Sequence, residues 1–162
     1  MLIASISMVP SVFRNAALFA LLVLAAACAG RPIVTTSIGN SASAEEYLGY
    51  IRQVNGLAGA RPDPLLEKAA QQQARYMAET GRMVHTTGSG RDFATRMSQN
   101  GVPGPAAENI AHGGMGLAKL FQMWADSPPH RKNMLDPRFT RYGLASASDA
   151  QGKRYWALVM GK

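Results

Sequence analysis

Cysteine is almost missing from this chain. Cys28 is the only one, so no intramolecular disulfide can form and the fold must rest on packing. Histidine is nearly as scarce, with three in 162 residues: His85, His112 and His130. There is no Gly-x-Ser-x-Gly segment, and no serine shows a histidine partner by spacing, so the sequence signature of a serine hydrolase is missing. Basic residues are scattered in runs no longer than Arg131-Lys132, and without a basic stripe a nucleic-acid partner is not expected. No internal repeat is present, and no apolar run reaches the ~20 residues of a permanent membrane span.

The start of the chain has the form of an export signal. Arg14 is followed by an apolar run from Ala16 to Ala27, closed by the small residues Ala25-Ala26-Ala27-Cys28-Ala29-Gly30. The signal peptide is placed over residues 1–30. Two readings of its end stand side by side: an ordinary small-x-small cleavage site, or lipidation of Cys28 in a bacterial lipoprotein box, with Leu24 one position early for the second. The protein is therefore expected outside the cytoplasm, in periplasm, cell envelope or medium, with membrane attachment through Cys28 if that thiol is lipidated. The formal charge is +7, and only Arg14 of the basic residues lies in the leader. A cationic mature domain suits anionic lipid headgroups or cell-wall polymers, and equally an ordinary solvated surface.

Residues 31–42 lack periodicity and read as a linker, with one domain over 43–162. Ser43 and Glu46 form a capping box for a first helix carrying Tyr47, Ile51 and Val54 inward. Asp63-Pro64 opens a second, with Leu65, Leu66, Ala69, Ala70, Tyr76 and Met77 on one face and Gly81 as its stop. A third helix spans Arg91 to Gln99 with Phe93 and Met97 inward. A fourth carries Leu117, Leu120, Phe121 and Trp124 at core spacing. Ser127-Pro128 starts a fifth that ends near Asp136-Pro137, with Ser127 or Asp126 as its cap. Ala106–Ala111, Tyr142–Ser148 and Arg154–Met160 read as strands, the last two joined by a turn at Asp149–Gly152. These elements give an α+β fold: an α-β-α sandwich with a small, mostly antiparallel sheet flanked by helices.

Three residues stand out chemically. Glu108 lies in an apolar strand and must be paired or hydrogen-bonded if buried, and a tuned carboxylate in a cleft is a candidate general base. His85 follows the second helix at an edge. His130 falls in the first turn of the fifth helix, where free N–H groups favour a neutral imidazole or an anion. Asn133 can hold a loop by side-chain hydrogen bonds, and His112 is a loop residue beside Gly113-Gly114.

These residues, in order, resemble a family. His85, Ala107-Glu108-Asn109-Ile110-Ala111, Trp124 with Ser127-Pro128-x-His130-Arg131-x-Asn133, Phe139-Thr140-x-Tyr142-Gly143 and Tyr155-Trp156 are similar to the bacterial branch of the CAP superfamily, also called SCP-like. That superfamily contains cysteine-rich secretory proteins, antigen 5 and plant pathogenesis-related proteins. The resemblance covers roughly residues 44–162. It implies an α-β-α sandwich with a cleft where two histidines and two acidic residues gather, in some members around zinc or another divalent cation.

Carried over by position, His85 and Glu108 match the first histidine and the E-N-[IL] glutamate, and His130 the histidine of S-P-x-H-R-x-N. The implied cleft residues are His85, Glu108, His130, Asn109 and Asp126, with His85, Glu108 and His130 as the metal set. Several departures accompany the match. Ser127 stands where many members have a second glutamate, with Asp126 one position early. The G-H-Y-T-Q segment and the disulfides of eukaryotic members are absent, and the early N-x-x-R element is reduced to Asn55 followed by Ala58.

Three functions compete. The preferred one is a non-enzymatic exported module that binds a small ligand, lipid or envelope component through a His/Glu-lined cleft. A metal-dependent hydrolase is the alternative, with His85 and His130 as ligands and Glu108 as ligand or general base. The third is structural: Glu108 and the histidines form a buried polar network pinning helices to the sheet.

Overall fold

The computed structural model describes residues 35–162; the expected signal peptide, Cys28 and the first residues of the linker lie outside the described residues. Ten elements follow: β1 (Ser37–Gly39), α1 (Ser41–Val54), β2 (Arg61–Pro62), α2 (Pro64–Thr80), α3 (Phe93–Gln99), β3 (Ala106–His112), α4 (Leu117–Asp126), α5 (Pro128–Met134), β4 (Arg141–Ser148) and β5 (Arg154–Gly161). The sheet runs β1-β4-β5-β3, all neighbours antiparallel, and the short β2 adds a parallel pairing to the start of β4.

Strand alternation divides the core into two layers. On β5, Trp156, Leu158 and Met160 point one way and pack with Ala44 and Leu48 of α1, Leu120, Phe121 and Trp124 of α4 and Met134 of α5. Tyr155, Ala157 and Val159 point the other way, onto Leu66, Ala69, Ala70, Ala74 and Met77 of α2 and Met97 of α3. A period of two with both faces apolar requires helices on both sides, which makes the α-β-α sandwich. Helix α2 presents small residues and lies tight on the sheet. A Cβ on Gly143 of β4 would fall inside the α2 backbone at Leu66 and Glu67, so only glycine permits this approach.

The N-terminal boundary differs from the sequence expectation. The strand Ser37–Gly39 pairs with β4 and α1 begins at Ser41, so the second half of the expected linker belongs to the domain. The Ser43–Glu46 capping box does not form, because both residues sit exposed inside the helix. The orphan N–H of Ser41 is instead taken by Glu67 Oε2 of α2 at 3.0 Å; a cap supplied from another helix leaves no local signature. The buried face of α1 is Ser41, Ala44, Leu48 and Arg52, with Tyr47 and Ile51 beside it and Val54 61% exposed.

Helix α2 does start as expected. Asp63 Oδ1 accepts from Leu65 N at 2.9 Å and Leu66 N at 3.1 Å, and Gly81 closes the helix in the left-handed region. Its buried stripe includes Gln73, while Leu65 is exposed. The third helix is shorter than expected: Asp92 caps it and Phe93 is its first residue. The last two strands meet through a turn in which Asp149 Oδ1 accepts from Gln151 N and Lys153 N.

Candidate functional site

Two adjacent residues of β3 build the site. Because strand side chains alternate, Glu108 points toward the α2–α3 layer and Asn109 toward α4 and α5. β3 is an edge strand, so groups from both layers can meet around it.

On the first side Glu108 is locked. Its side chain is 3% exposed, and both oxygens are taken by the buried guanidinium of Arg96: Nη1 to Oε2 at 2.6 Å and Nη2 to Oε1 at 2.9 Å. His85 Nδ1 adds a third bond to Oε1 at 2.8 Å. Arg96 also holds the loop that brings His85 here, donating to the carbonyl oxygen of His85 at 3.1 Å. Gln73 of α2 grips the same loop one residue earlier, donating to Val84 O at 2.7 Å. The His85 ring itself is 54% exposed, so it is the face of this half that meets solvent.

On the second side Asn109, buried, donates from Nδ2 to the carbonyl oxygen of His130 at 3.1 Å and accepts from Asn133 Nδ2 at 2.9 Å. Asn133 also reaches Glu108 O at 3.3 Å, and Trp124 Nε1 donates to Ile110 O at 3.3 Å. Side-chain donors from α4 and α5 thus occupy carbonyls of the β3 edge. His130 Nδ1 lies 2.8 Å from Ser127 Oγ, which explains why Ser127, at the N-cap of α5, makes no capping bond. Burial lowers the pKa of His130, and the charge of His85 lowers it further; the two imidazoles therefore feel each other across the β3 edge.

The expected site residues divide accordingly. His85, Glu108, Asn109 and His130 come together. Asp126 does not: it is exposed and its carboxylate accepts from Gln122 Nε2 at 2.8 Å along its own helix. His112 ends β3 with its ring 6.1 Å from Tyr155, outside the cluster. Glu108 is in place but not as a free base, because its side chain is buried and three of its roughly four acceptor sites are taken by Arg96 and His85. Asn109 is a buried tether rather than a contact surface.

The same geometry tests the expected metal set of His85, Glu108 and His130. Among the described residues no three His, Cys, Asp or Glu side chains gather in an arrangement that could hold a metal ion. A cation placed on Glu108 would also meet the guanidinium already bound there. Each imidazole has its Nδ1 engaged, by Glu108 and by Ser127, so Nε2 is the ring nitrogen without a hydrogen bond among the described residues.

Arg96 is the functional residue that motif reading overlooked. Its signal was present, because Arg96 lies between Phe93 and Met97 on the inward stripe of α3, where a charge requires a partner.

Comparisons with known proteins bear on the family and the fold. Residues 46–160 match CAP, the cysteine-rich secretory protein family. The uncharacterized protein YkwD of Bacillus subtilis is 33% identical over 129 residues, 74% of this chain and 49% of that protein, so the chain spans about half the length of this relative. Among solved structures, an outer surface protein of Borrelia burgdorferi superposes with a TM-score of 0.68 at 18% identity, covering 80% of this chain and 98% of that one. An extracellular protein containing an SCP domain from Bacillus anthracis gives 0.63 at 23%, covering 76% and 40%. At those identities the structural likeness shows the fold. With the family model spanning nearly the whole described domain, the chain belongs to the CAP family of cysteine-rich secretory proteins.

Proposed function

We propose that this domain is an exported, non-enzymatic binding module that engages a small ligand, a lipid headgroup or another envelope component at the surface formed by His85 and His130. The observation that carries this reading is the bidentate Arg96–Glu108 pair. A hydrolase built on these residues needs a carboxylate free to take a proton from water, and here that carboxylate is buried and paired with Arg96 and His85. Two imidazoles with their outer nitrogens unoccupied suit recognition through a few directed polar contacts.

Export is supported by the leader pattern and by relatives described as outer-surface and extracellular proteins. No helix among the described residues is long and apolar enough to cross a membrane; lipidation of Cys28 would supply a membrane attachment in this reading. A divalent cation such as zinc would be held by Nε2 of His85 and of His130, with Glu108 supporting the first ring from behind. Bound there, it would supply a Lewis-acidic contact for an oxygen or nitrogen donor of the ligand.

Calorimetric titration of zinc into the compact unit Val34–Lys162 tests the reading, beside His85→Ala, His130→Ala and Glu108→Gln. Binding abolished by either histidine variant and only weakened by Glu108→Gln is expected. Turnover of ester or peptide substrates that disappears in Glu108→Gln would overturn the non-enzymatic assignment.

A further inference from the structure

We propose that Arg96 is a positioning residue that fixes the tautomer of His85, placing the ring proton on Nδ1 and leaving Nε2 as a bare lone pair facing solvent. The inference deepens the binding reading, since it rests on His85 as a contact residue and specifies what that residue offers.

A carboxylate paired with a guanidinium is an acceptor only. Glu108 Oε1 accepts from Arg96 Nη2 at 2.9 Å, and the Nδ1 of His85 stands 2.8 Å from the same oxygen. Two groups facing an acceptor must both donate, so the hydrogen sits on Nδ1. Nothing on the His85 ring alone dictates this, for at 54% exposure it has solvent on its other side.

Arg96 makes the arrangement obligatory, and all three nitrogens of its fork are used. Nη1 and Nη2 grip Glu108, Nη2 also holds the carbonyl of His85 at 3.1 Å, and Nε donates to Arg91 O at 3.3 Å. The guanidinium is completely buried and lies 5.6 Å from the Phe93 ring centroid, so water does not compete for those bonds. One side chain therefore orients the carboxylate, holds the histidine backbone and sets the distance between them. An ammonium in the same place could not do all three, because it lacks the planar fork.

The consequence is a selectivity for ligand class. In its neutral form His85 presents an acceptor at Nε2. The site then favours a coordinating cation or a ligand group that donates a hydrogen bond, such as an ammonium, hydroxyl or amide N–H. It offers no donor from His85 to a bare anion.

Imidazole nitrogen NMR on ligand-free, 15N-labelled protein at a pH where His85 is neutral reads the tautomer directly. In the wild type, His85 Nδ1 is expected at the protonated, pyrrole-type position and Nε2 at the unprotonated, pyridine-type position. In Arg96→Lys the two nitrogens are expected to move toward the averaged values of a free histidine, with zinc affinity reduced about 10- to 100-fold, the range for loss of a supporting partner behind a ligating histidine. A wild-type His85 carrying its proton on Nε2 overturns the proposal, and so does an Arg96→Lys variant unchanged in both tautomer and zinc affinity. If Arg96→Lys does not fold, Arg96→Gln takes its place, and the wild-type spectrum still decides the tautomer. The expected spectrum in a protein that binds no zinc supports the tautomer assignment and removes the cation from the proposed function, so the two readings fail separately.

Discussion

Arg52 Nη1 donates to the carbonyl oxygen of Met134 at 2.8 Å, joining the last turn of α1 to the last residue of the helix that carries His130. The same guanidinium reaches Ala58 O at 2.8 Å, Asp136 O at 3.3 Å and Phe139 O at 2.9 Å. Burial lowers its pKa, and the charge of Asp136 acts in the opposite direction. Arg52 thus serves as a buried donor for a stretch of chain with no sheet or helix partner of its own.

Arg52→Leu keeps the bulk and removes the donors. At least about 2 kcal/mol of stability should be lost, since buried carbonyls at the end of α5 would be left unpaired. Urea unfolding measures the loss, and hydrogen exchange should show α5 amides opening faster than those of α2. A change below about 0.5 kcal/mol, the range of an ordinary surface substitution, would contradict the role assigned to Arg52.

Asn109→Asp should be worse than Asn109→Ala. The alanine variant loses two hydrogen bonds, at about 1 kcal/mol each, whereas the aspartate turns a buried oxygen toward the carbonyl of His130, where Nδ2 now donates. A melting temperature for the aspartate variant equal to or above that of the alanine variant, measured at neutral pH, would show that Asn109 does not hold α5 through this bond.

Gly143→Ala tests the closeness of α2 and β4. The added methyl group would overlap backbone atoms of Leu66 and Glu67, which cannot rotate away as a side chain can. Helix and sheet must separate, at a cost of about 1–3 kcal/mol or more. Because Glu67 also caps α1 through Ser41 N, far-UV circular dichroism should report fraying at the start of α1; full retention of stability would refute the packing argument.

Stability should fall as pH is lowered below about 6.5, the ordinary histidine value, partly because of His130. Its folded-state pKa is depressed by burial and by His85, so below that value the unfolded chain takes up a proton more readily than the native one. The contribution is complete above the unfolded pKa and disappears as pH falls through the folded one. Asp136, held down to about 2 by hydrogen bonds from Arg138, titrates far below this window. Melting temperatures between pH 7.5 and 5 should decline more steeply for wild type than for His130→Gln; parallel curves would exclude His130 as a source.

Sequence reading worked where the determinants are local. Asp63-Pro64 and Gly81 delimit α2 by capping chemistry alone, the Asp149–Gly152 turn marks the hairpin of β4 and β5, and the Leu120, Phe121, Trp124 stripe identifies the buried face of α4. It failed where a partner arrives from elsewhere in the chain. The start of α1 depends on Glu67, 26 residues away, and β1 is a three-residue strand made only by pairing with β4. At the site, motif order identified His85, Glu108 and His130 but not what holds them. Glu108 reads as a free carboxylate until Arg96, 12 residues earlier, is placed against it, and Asp126 reads as a cleft residue until its helix turns it toward Gln122.

The adjacency of Glu108 and Asn109 on β3 has a consequence for how such chains can diverge. Loops leading to His85 and to His130 can lengthen or shorten while their ends stay fixed, but β3 has a phase. Adding or deleting one residue within Ala106–His112 would send each later side chain to the opposite layer. If one residue is deleted before Glu108, the carboxylate would face the asparagine side and Asn109 would meet Arg96. Insertions should therefore be tolerated on either side of the strand and excluded from within it, which makes the invariant distance in this site a single peptide bond.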